Sequence, residues 1–166
     1  GKGTAVTDEI IINSSTLGQQ TKPSIAVTGN GEIIVAWQTD QNGGTQVEYQ
    51  ALTANGSLLG ENQILSNDDD GNLIGGNQVT LTTLEDGSVA ALWDQSANIY
   101  AKAIQLNNVH TSSLVTISNS QEGASDWAST AALPGGGFIA VWQDGGGKDG
   151  DRSGIYGRIF DGNYNR

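Results

Sequence analysis

The alternation of apolar and polar positions recurs three times along the chain, and each recurrence ends at a tryptophan. The three phrases align without a gap and occupy residues 23–37, 79–93 and 128–142. In each phrase a short alternating run leads into a glycine-containing turn, and a run of apolar residues follows. Because Asn-Gly, Asp-Gly and Gly-Gly supply the positive φ angles of tight hairpin turns, each phrase predicts a β-hairpin.

The second strand of each predicted hairpin is a continuous apolar run, which is typical of a strand that is covered on both faces. These runs end at Trp37, Trp93 and Trp142. The indole rings are therefore predicted to pack in the core rather than to serve as ligand platforms.

Two further strands are predicted after each hairpin. The third strand lies at residues 45–52, 97–104 and 153–160. Tyr49, Tyr100 and Tyr156 are aligned as equivalent positions within it. The fourth strand lies at residues 63–66 and 114–118, and the third copy has none after it.

The N-terminal segment 9–15 has the character of the missing fourth strand. It is predicted to pair with the third copy, so that the first and last segments meet and no sheet edge is left open. The sequence thus predicts one all-β domain over residues 1–166. It contains three blade-like antiparallel repeats with pseudo-threefold symmetry, at about 16–66, 73–118 and 123–161 plus 9–15.

The number of repeats leaves the arrangement of this propeller-like fold open. Propellers usually have four or more blades. The chain is therefore expected to form a compact three-bladed ring, to complete a six-bladed ring as a homo-oligomer, or to adopt another pseudosymmetric all-β fold. A β-trefoil and a β-prism are the alternatives. The blade is preferred because its apolar second strand suits a sheet that is stacked between two neighbours.

Composition narrows the classes of partner. The chain of 166 residues has 24 glycines, no cysteine and a net charge of −11. An acidic surface without a basic patch repels phosphate backbones, so no nucleic-acid binding is expected. No apolar run approaches the length of a membrane span, so no membrane insertion is expected. The start at Gly1-Lys2-Gly3 suggests a processed product or an excised piece of a longer chain.

Two acidic loops are candidate calcium sites. Asp144, Asp149 and Asp151 lie in the glycine-rich segment that follows the third tryptophan. Asp68 and Asp70 lie in the run Asn-Asp-Asp-Asp-Gly-Asn. Calcium takes six to eight oxygen ligands from carboxylates, carbonyls and water. Neither loop has EF-hand spacing, and a solvated acidic loop is the alternative in both cases.

Trp127 is the candidate ligand-binding residue, together with Asp126. In the alignment of the three copies Trp127 stands where Lys22 and Gln78 stand, so the position is expected to face solvent. An exposed indole beside carboxylates and amides suits stacking on a sugar ring. Local packing or a protein–protein contact is the alternative.

No signature of catalysis is present in the sequence. His110 is the one histidine, and neither a Gly-x-Ser-x-Gly elbow nor a phosphate loop occurs. The sequence therefore predicts that the chain is not an enzyme.

The segment 141–161, VWQDGGGKDGDRSGIYGRIFD, resembles a repeat of large secreted bacterial proteins, namely RTX-type (hemolysin-type) calcium-binding proteins and adhesins. The first copy keeps Pro23-Ser24 and Trp37-Gln38, whereas the second has Trp93-Asp94 and a short loop. The resemblance implies an extracellular or cell-surface bacterial module. It would recognise a glycan or a surface within an adhesin or matrix protein, or it would act as a purely structural, calcium-stabilised unit that self-assembles.

Overall fold

The computed structural model describes residues 3, 7–41, 43–106, 110–118, 124–147 and 150–165. The all-β prediction is confirmed, since these residues form twelve strands joined by turns and contain no helix. In the described part of the chain there is consequently no helix long and apolar enough to cross a membrane. The strands form three antiparallel sheets.

The first sheet contains β1 (Gln19–Val27), β2 (Ile33–Gln41), β3 (Gly44–Leu52) and β4 (Gln63–Ile64). The second contains β5 (Asn77–Thr83), β6 (Val89–Gln95), β7 (Asn98–Gln105), β8 (His110–Thr111) and β9 (Val115–Thr116). The third contains β10 (Ser125–Ala132), β11 (Phe138–Asp144) and β12 (Gly154–Phe160). Strands run in chain order across each sheet, and both β8 and β9 pair with β7.

The three predicted hairpins are present as the pairs β1–β2, β5–β6 and β10–β11. Their tryptophans Trp37, Trp93 and Trp142 are buried, so the prediction of core packing is confirmed. The predicted third strands are present as β3, β7 and β12. Short strands occur at the predicted fourth positions in the first two copies, as β4 and β9.

The second sheet lies between the other two, and two cores result. One face of it packs on the first sheet, through Val89, Ala91 and Trp93. Its other face packs on the third sheet, through Ala90 and Leu92. The strand β6 is therefore buried on both faces, as its apolar run predicts. In β11 buried positions alternate with half-buried or exposed ones, because only one of its faces meets another sheet.

The predicted closure of the ring is wrong. Over the described ranges the sheets form neither a closed barrel nor a propeller. Residues 9–15 are not a strand. They lie against the first sheet, where Ser14 Oγ and the Ser15 amide donate to Asn62 Oδ1, the latter at 3.1 Å. Within the described residues β12 pairs with β11 alone, so its other edge stays open. The first sheet offers a polar partner much nearer in sequence, which makes the loop that must close shorter than one that reaches β12.

The alignment of the tyrosines is also wrong in one copy. Tyr100 lies opposite Trp93 and Tyr156 opposite Trp142, but Glu48 lies opposite Trp37. Tyr49 is one position further along and packs in the core between the first and second sheets. A shift of one residue reverses the face on which a side chain lies, so Tyr49 is not equivalent to the other two tyrosines.

Candidate functional site

The first strand of each sheet is interrupted by a register shift at the same place. The shifts fall between Thr21 and Ser24, between Asn77 and Thr80, and between Asp126 and Ser129. Within each shift one residue other than glycine has a left-handed backbone; these are Lys22 (φ 53°), Gln78 (φ 45°) and Trp127 (φ 59°). Such a conformation carries a strain of about 1–2 kcal/mol per residue and is concentrated at functional sites.

The residue before each of these bulges is paired with the residue that follows the buried tryptophan. The pairs are Thr21 with Gln38, Asn77 with Asp94, and Asp126 with Gln143. All three pairs are polar and lie at the same end of their sheets. We use the name bulge cluster for Lys22, Asn77, Gln78, Asp94, Asp126 and Trp127.

Side chains from all three sheets influence the pKa of the Asp94 carboxyl. Burial raises the pKa of the Asp94 carboxyl, and the negative charge of Asp126 raises it further. A hydrogen bond from Asn77 and the positive charge of Lys22 act in the opposite direction on that pKa. Asp94 is buried, and among the described residues its Oδ1 atom has no hydrogen-bond partner. The bulge cluster thus contains an unsatisfied acceptor, which is uncommon inside a native protein.

Trp127 is the most exposed large side chain of the bulge cluster, with 65% of its surface accessible. It lies within β10, next to the half-buried Asp126, rather than before the strand as its place in the sequence suggested. The expectation of a solvent-facing position agrees with this placement. An exposed indole next to a carboxylate combines an apolar face with a hydrogen-bond acceptor.

A polar groove lies at the same end, between the β2–β3 turn and the second sheet. Gln38, Asp40, Thr45 and Gln95 line it. Gln38 Nε2 donates to Asp40 Oδ1 at 2.8 Å. Gln38 Oε1 is buried and lacks a hydrogen-bond partner among the described residues. The groove therefore adds a second unsatisfied acceptor, on Gln38, which is the strand partner of Thr21.

The loop after β11 places its acidic residues in different environments. Asp144 is buried, and its Oδ1 accepts the Gly146 amide at 2.8 Å. Asp151 is exposed, and its Oδ1 accepts the Arg152 amide at 2.7 Å. Asp149 lies outside the described residues. Within the residues that are described, no three acidic or histidine side chains converge as metal ligands. Calcium binding by this loop stays a prediction.

Asp68 and Asp70 lie in the turn that follows β4. Asp68 Oδ1 accepts the amides of Asp70 at 3.0 Å and Asn72 at 2.7 Å. Hydrogen bonds from the side chain and backbone of Asn72 lower the pKa of the Asp68 carboxyl. The neighbouring Asp69 instead accepts the Leu114 amide at 2.8 Å. The described contacts of Asp68 and Asp69 are therefore those of a turn and of a link to the second sheet, and calcium binding here also stays a prediction.

Asp126 and Trp127 were predictable from the sequence, whereas the other members of the bulge cluster were not. The bulges are not visible in the sequence, because none of them contains glycine, the usual residue at a positive φ. A signal for Asp94 was present in the dipeptides Trp37-Gln38, Trp93-Asp94 and Trp142-Gln143, where a polar residue follows each buried tryptophan.

Asp94→Asn is expected to stabilise the protein at pH 7 by roughly 1 kcal/mol, because it removes a buried charge with an unsatisfied oxygen. Since folding raises this pKa, the carboxyl is protonated more readily in the folded state. The contribution of Asp94 to the free energy of unfolding is therefore fully present below the pKa of the unfolded state. It is lost as the pH rises through the pKa of the folded state. The stabilisation by Asn should disappear below about pH 4. Urea unfolding at several pH values measures it.

The exposed Asp70 provides the matched control, since Asp70→Asn should leave the free energy of unfolding at pH 7 unchanged within ~0.5 kcal/mol. A loss of stability in Asp94→Asn at neutral pH would show that the charge of Asp94 is satisfied after all.

The comparison with solved structures shows a likeness of fold. No family model matches the chain, and no curated protein matches it. The crystal structure of the polysaccharide lyase Uly1 aligns with a TM-score of 0.51 and 12% sequence identity, over 85% of this chain. The chain spans only 28% of the length of that protein. At this identity the likeness shows the fold alone.

This comparison contradicts the prediction that the chain is not an enzyme. The fold of this chain recurs within a polysaccharide lyase. The prediction rested on missing sequence motifs, and such motifs do not transfer between families on unrelated scaffolds. A catalytic site on an all-β scaffold can be assembled from isolated polar residues that carry no short signature.

Proposed function

We propose that the bulge cluster binds a carbohydrate chain, with the indole of Trp127 as the stacking platform. The observation that supports this most strongly is the conformation of Trp127, whose exposed side chain is held at φ 59° in a bulge. A large aromatic residue in this backbone region is strained, and solvent exposure gives it little burial in return. A ligand that covers the ring would supply the missing contact.

The polar residues around Trp127 suit sugar hydroxyl groups. Asp126 is a half-buried carboxylate next to Trp127, and it can accept from a sugar hydroxyl. Asp94 Oδ1 and Gln38 Oε1 are enclosed acceptors without a partner among the described residues, at the same end of the other two sheets. The apolar C–H face of a sugar ring packs on an indole, while its hydroxyls bond at the rim. The bulge cluster and the adjoining groove therefore offer both kinds of contact that a carbohydrate needs.

The charge of the site favours a neutral carbohydrate. Asp94, Asp126 and Asp40 contribute carboxylates at this end of the sheets, and Lys22 is the basic residue of the bulge cluster. The whole chain carries a net charge of −11. An anionic polysaccharide would be repelled over the Debye length of about 8 Å at physiological salt, whereas an uncharged chain would not. We therefore expect neutral polysaccharides to bind more tightly than uronate-containing or sulfated ones.

The fold likeness supports the same ligand class. The structural neighbour acts on polysaccharide, as its name states, and it shares the fold over most of this chain. The low identity means that no residue of this chain can be assigned a role from that protein. The support is thus confined to the kind of molecule that this fold handles elsewhere.

Trp127→Ala is expected to weaken carbohydrate binding by about 10- to 100-fold, because it removes the stacking surface. An array of neutral and acidic polysaccharides identifies the ligand, and calorimetric titration with the best one measures the affinity of both proteins. The length of the polysaccharide is recorded before and after incubation, so that any cleavage by the wild-type chain is seen.

Ile25→Ala is the matched control. Ile25 has 64% of its surface exposed, much like Trp127, but it lies in the regular part of β1, opposite Val35. Its replacement should leave the affinity unchanged. Equal binding by wild type and Trp127→Ala, or binding that Ile25→Ala weakens as much, would refute the assignment of the site to the bulge cluster.

A further inference from the structure

The outer face of the third sheet is largely apolar, and among the described residues it is uncovered. Its members alternate in register with the buried Phe138, Ala140 and Trp142, and so they point away from the second sheet. They are Ser129, Ala131, Ile139, Val141, Ile155, Gly157, Ile159 and the polar Gln143 opposite Ile155. Ile155 is 77% and Ile159 61% exposed. None of these eight residues is charged. A contiguous apolar surface of this kind marks an interaction site.

The corresponding face is covered in the first two sheets. We call it the receiving face, and we call the opposite face, on which the tryptophan lies, the Trp face. The receiving face of the first sheet, with Ile34 and Val47, packs in one core with Trp93 of the second sheet. The receiving face of the second sheet, with Leu92 and Ile99, packs in one core with Trp142 of the third. Each receiving face thus meets the Trp face of the next sheet.

A basic side chain accompanies both interfaces at the same ladder position. Lys102 lies opposite Ala91, and its Nζ donates to Asn67 Oδ1 at 2.7 Å, beyond the end of β4. Arg158 lies opposite Ala140, and its Nη1 donates to the carbonyl of Ile117, beyond the end of β9. Each cation therefore reaches back to the sheet that precedes its own, which gives the stack a direction.

The first sheet differs at this position and is closed off. Gln50 lies opposite Val35, and its Nε2 donates to Ala51 O at 2.9 Å within its own sheet. Ile12 and Asn13 of the N-terminal segment lie beside Val35 and Trp37. The N-terminal segment therefore lies beside Trp37 on the outer face of the first sheet, while Ile25 and Val27 on the same face stay exposed. The third sheet has no comparable cover among the described residues, so the two ends of the stack are unlike.

We infer that the receiving face of the third sheet is the docking surface for a further antiparallel sheet of the same design. That sheet would present a Trp face and would carry Lys or Arg on its third strand, at the position of Lys102 and Arg158. The inference rests on continuity with the two interfaces inside this chain. It is independent of carbohydrate binding.

A second copy of the chain is a poor occupant of this surface. Residues 12 and 13 already lie beside Trp37 on the face that it would have to present, and Gln50 replaces the cation. The surface is also small. Its three strands have eight, seven and seven residues. They span roughly 14 Å by 25 Å, or about 350 Å², whereas stable complexes bury about 800 Å² on each partner. A sheet linked to the same polypeptide overcomes this, because linkage raises its effective concentration.

An extended chain tests the inference. In it, residues 106–165 are repeated directly after Asp161, which corresponds to Gln105 in the second copy. The added residues begin with a copy of the segment that links the second sheet to the third. A copy of the β10–β12 sequence follows, with its own Trp142 and Arg158. If the added sheet docks, the double substitution Ile155→Lys with Ile159→Lys in the original third sheet should lower the Tm of the extended chain by about 5 °C or more.

The same double substitution in the 166-residue chain should change its Tm by less than about 1 °C, because both residues are exposed there. Ile25→Lys with Val27→Lys, on the exposed outer side of β1, is the control and should have an equally small effect in both chains. Equal Tm changes in the two chains, or separate unfolding of the added segment, would overturn the inference. A dimer of the unextended chain that the Ile155 and Ile159 substitutions dissociate would overturn it in favour of a second copy.

Discussion

Trp93→Ala is expected to lower the free energy of unfolding by about 4 kcal/mol, the largest effect of any single substitution considered for stability. Trp93 is 0% exposed and belongs to the core that joins the first two sheets. Its ring lies directly over Gly76, where a Cβ atom would be 2.6 Å from Trp93 Cδ1. The backbone on both sides is held by strand pairing, so the cavity cannot collapse and most of the lost contact is not recovered. Urea denaturation at neutral pH measures the change.

Two further variants separate the effect of lost side-chain volume from other contributions to the free energy of unfolding. Trp93 Nε1 has no hydrogen-bond partner among the described residues, so Trp93→Phe loses volume alone and should cost only ~1–2 kcal/mol. Trp127→Ala removes the same side chain from an exposed position and should change stability by less than about 0.5 kcal/mol. If Trp93→Ala were no more harmful than Trp127→Ala, the two sheets would not be joined through this core.

The strands were predictable because the signals for them are local. The glycine-containing turns and the apolar runs that end at Trp37, Trp93 and Trp142 lie within single hairpins, where alternation and turn chemistry act over a few residues. The burial of the three tryptophans followed from the same pattern. The packing of one sheet on the next was only partly predictable from the sequence. It was indicated by the apolar run of β6, a strand that is buried on both faces.

The arrangement of the sheets could not be predicted, because it depends on contacts between distant segments. Residues 9–15 have the composition of a fourth strand, but hydrogen bonds of Ser14 and Ser15 to Asn62 hold them on the first sheet. The register of β3 likewise shifts by one residue relative to β7 and β12, so that Glu48 occupies the place expected for Tyr49. Composition alone does not specify register or the choice between sheet edges.

The candidate site was half predictable. Trp127 stood out because a tryptophan replaces Lys22 and Gln78 at an aligned position, which is a chemical anomaly that the sequence displays. The left-handed backbone at all three positions is not displayed, since the strain depends on the pairing of β1, β5 and β10 with their neighbours. The unsatisfied oxygen of Asp94 is a property of the packed sheets, and no sequence pattern reports it.

Gly29→Ala is expected to lower the free energy of unfolding by about 3 kcal/mol, although it adds only a methyl group. The turns of the first two hairpins touch at this point, where the Gly29 amide donates to Gly87 O at 3.0 Å. A Cβ atom on Gly29 would lie 2.7 Å from Gly87 Cα, well inside van der Waals contact. The obstacle is backbone, which has no rotamer to change, so the two sheets must move apart and weaken the core between them.

Gly31→Ala distinguishes this clash from the ordinary effect of replacing a turn glycine. Gly31 has φ +88°, and nothing lies within 4 Å of a Cβ built there. Alanine at Gly31 therefore meets only the left-handed backbone penalty and should cost about 1 kcal/mol. Gly29 has no such φ, so the whole of its larger loss must come from the contact with Gly87. Thermal or urea unfolding of both variants decides the matter, and a loss for Gly29→Ala no greater than that for Gly31→Ala would mean that the two turns do not touch in solution.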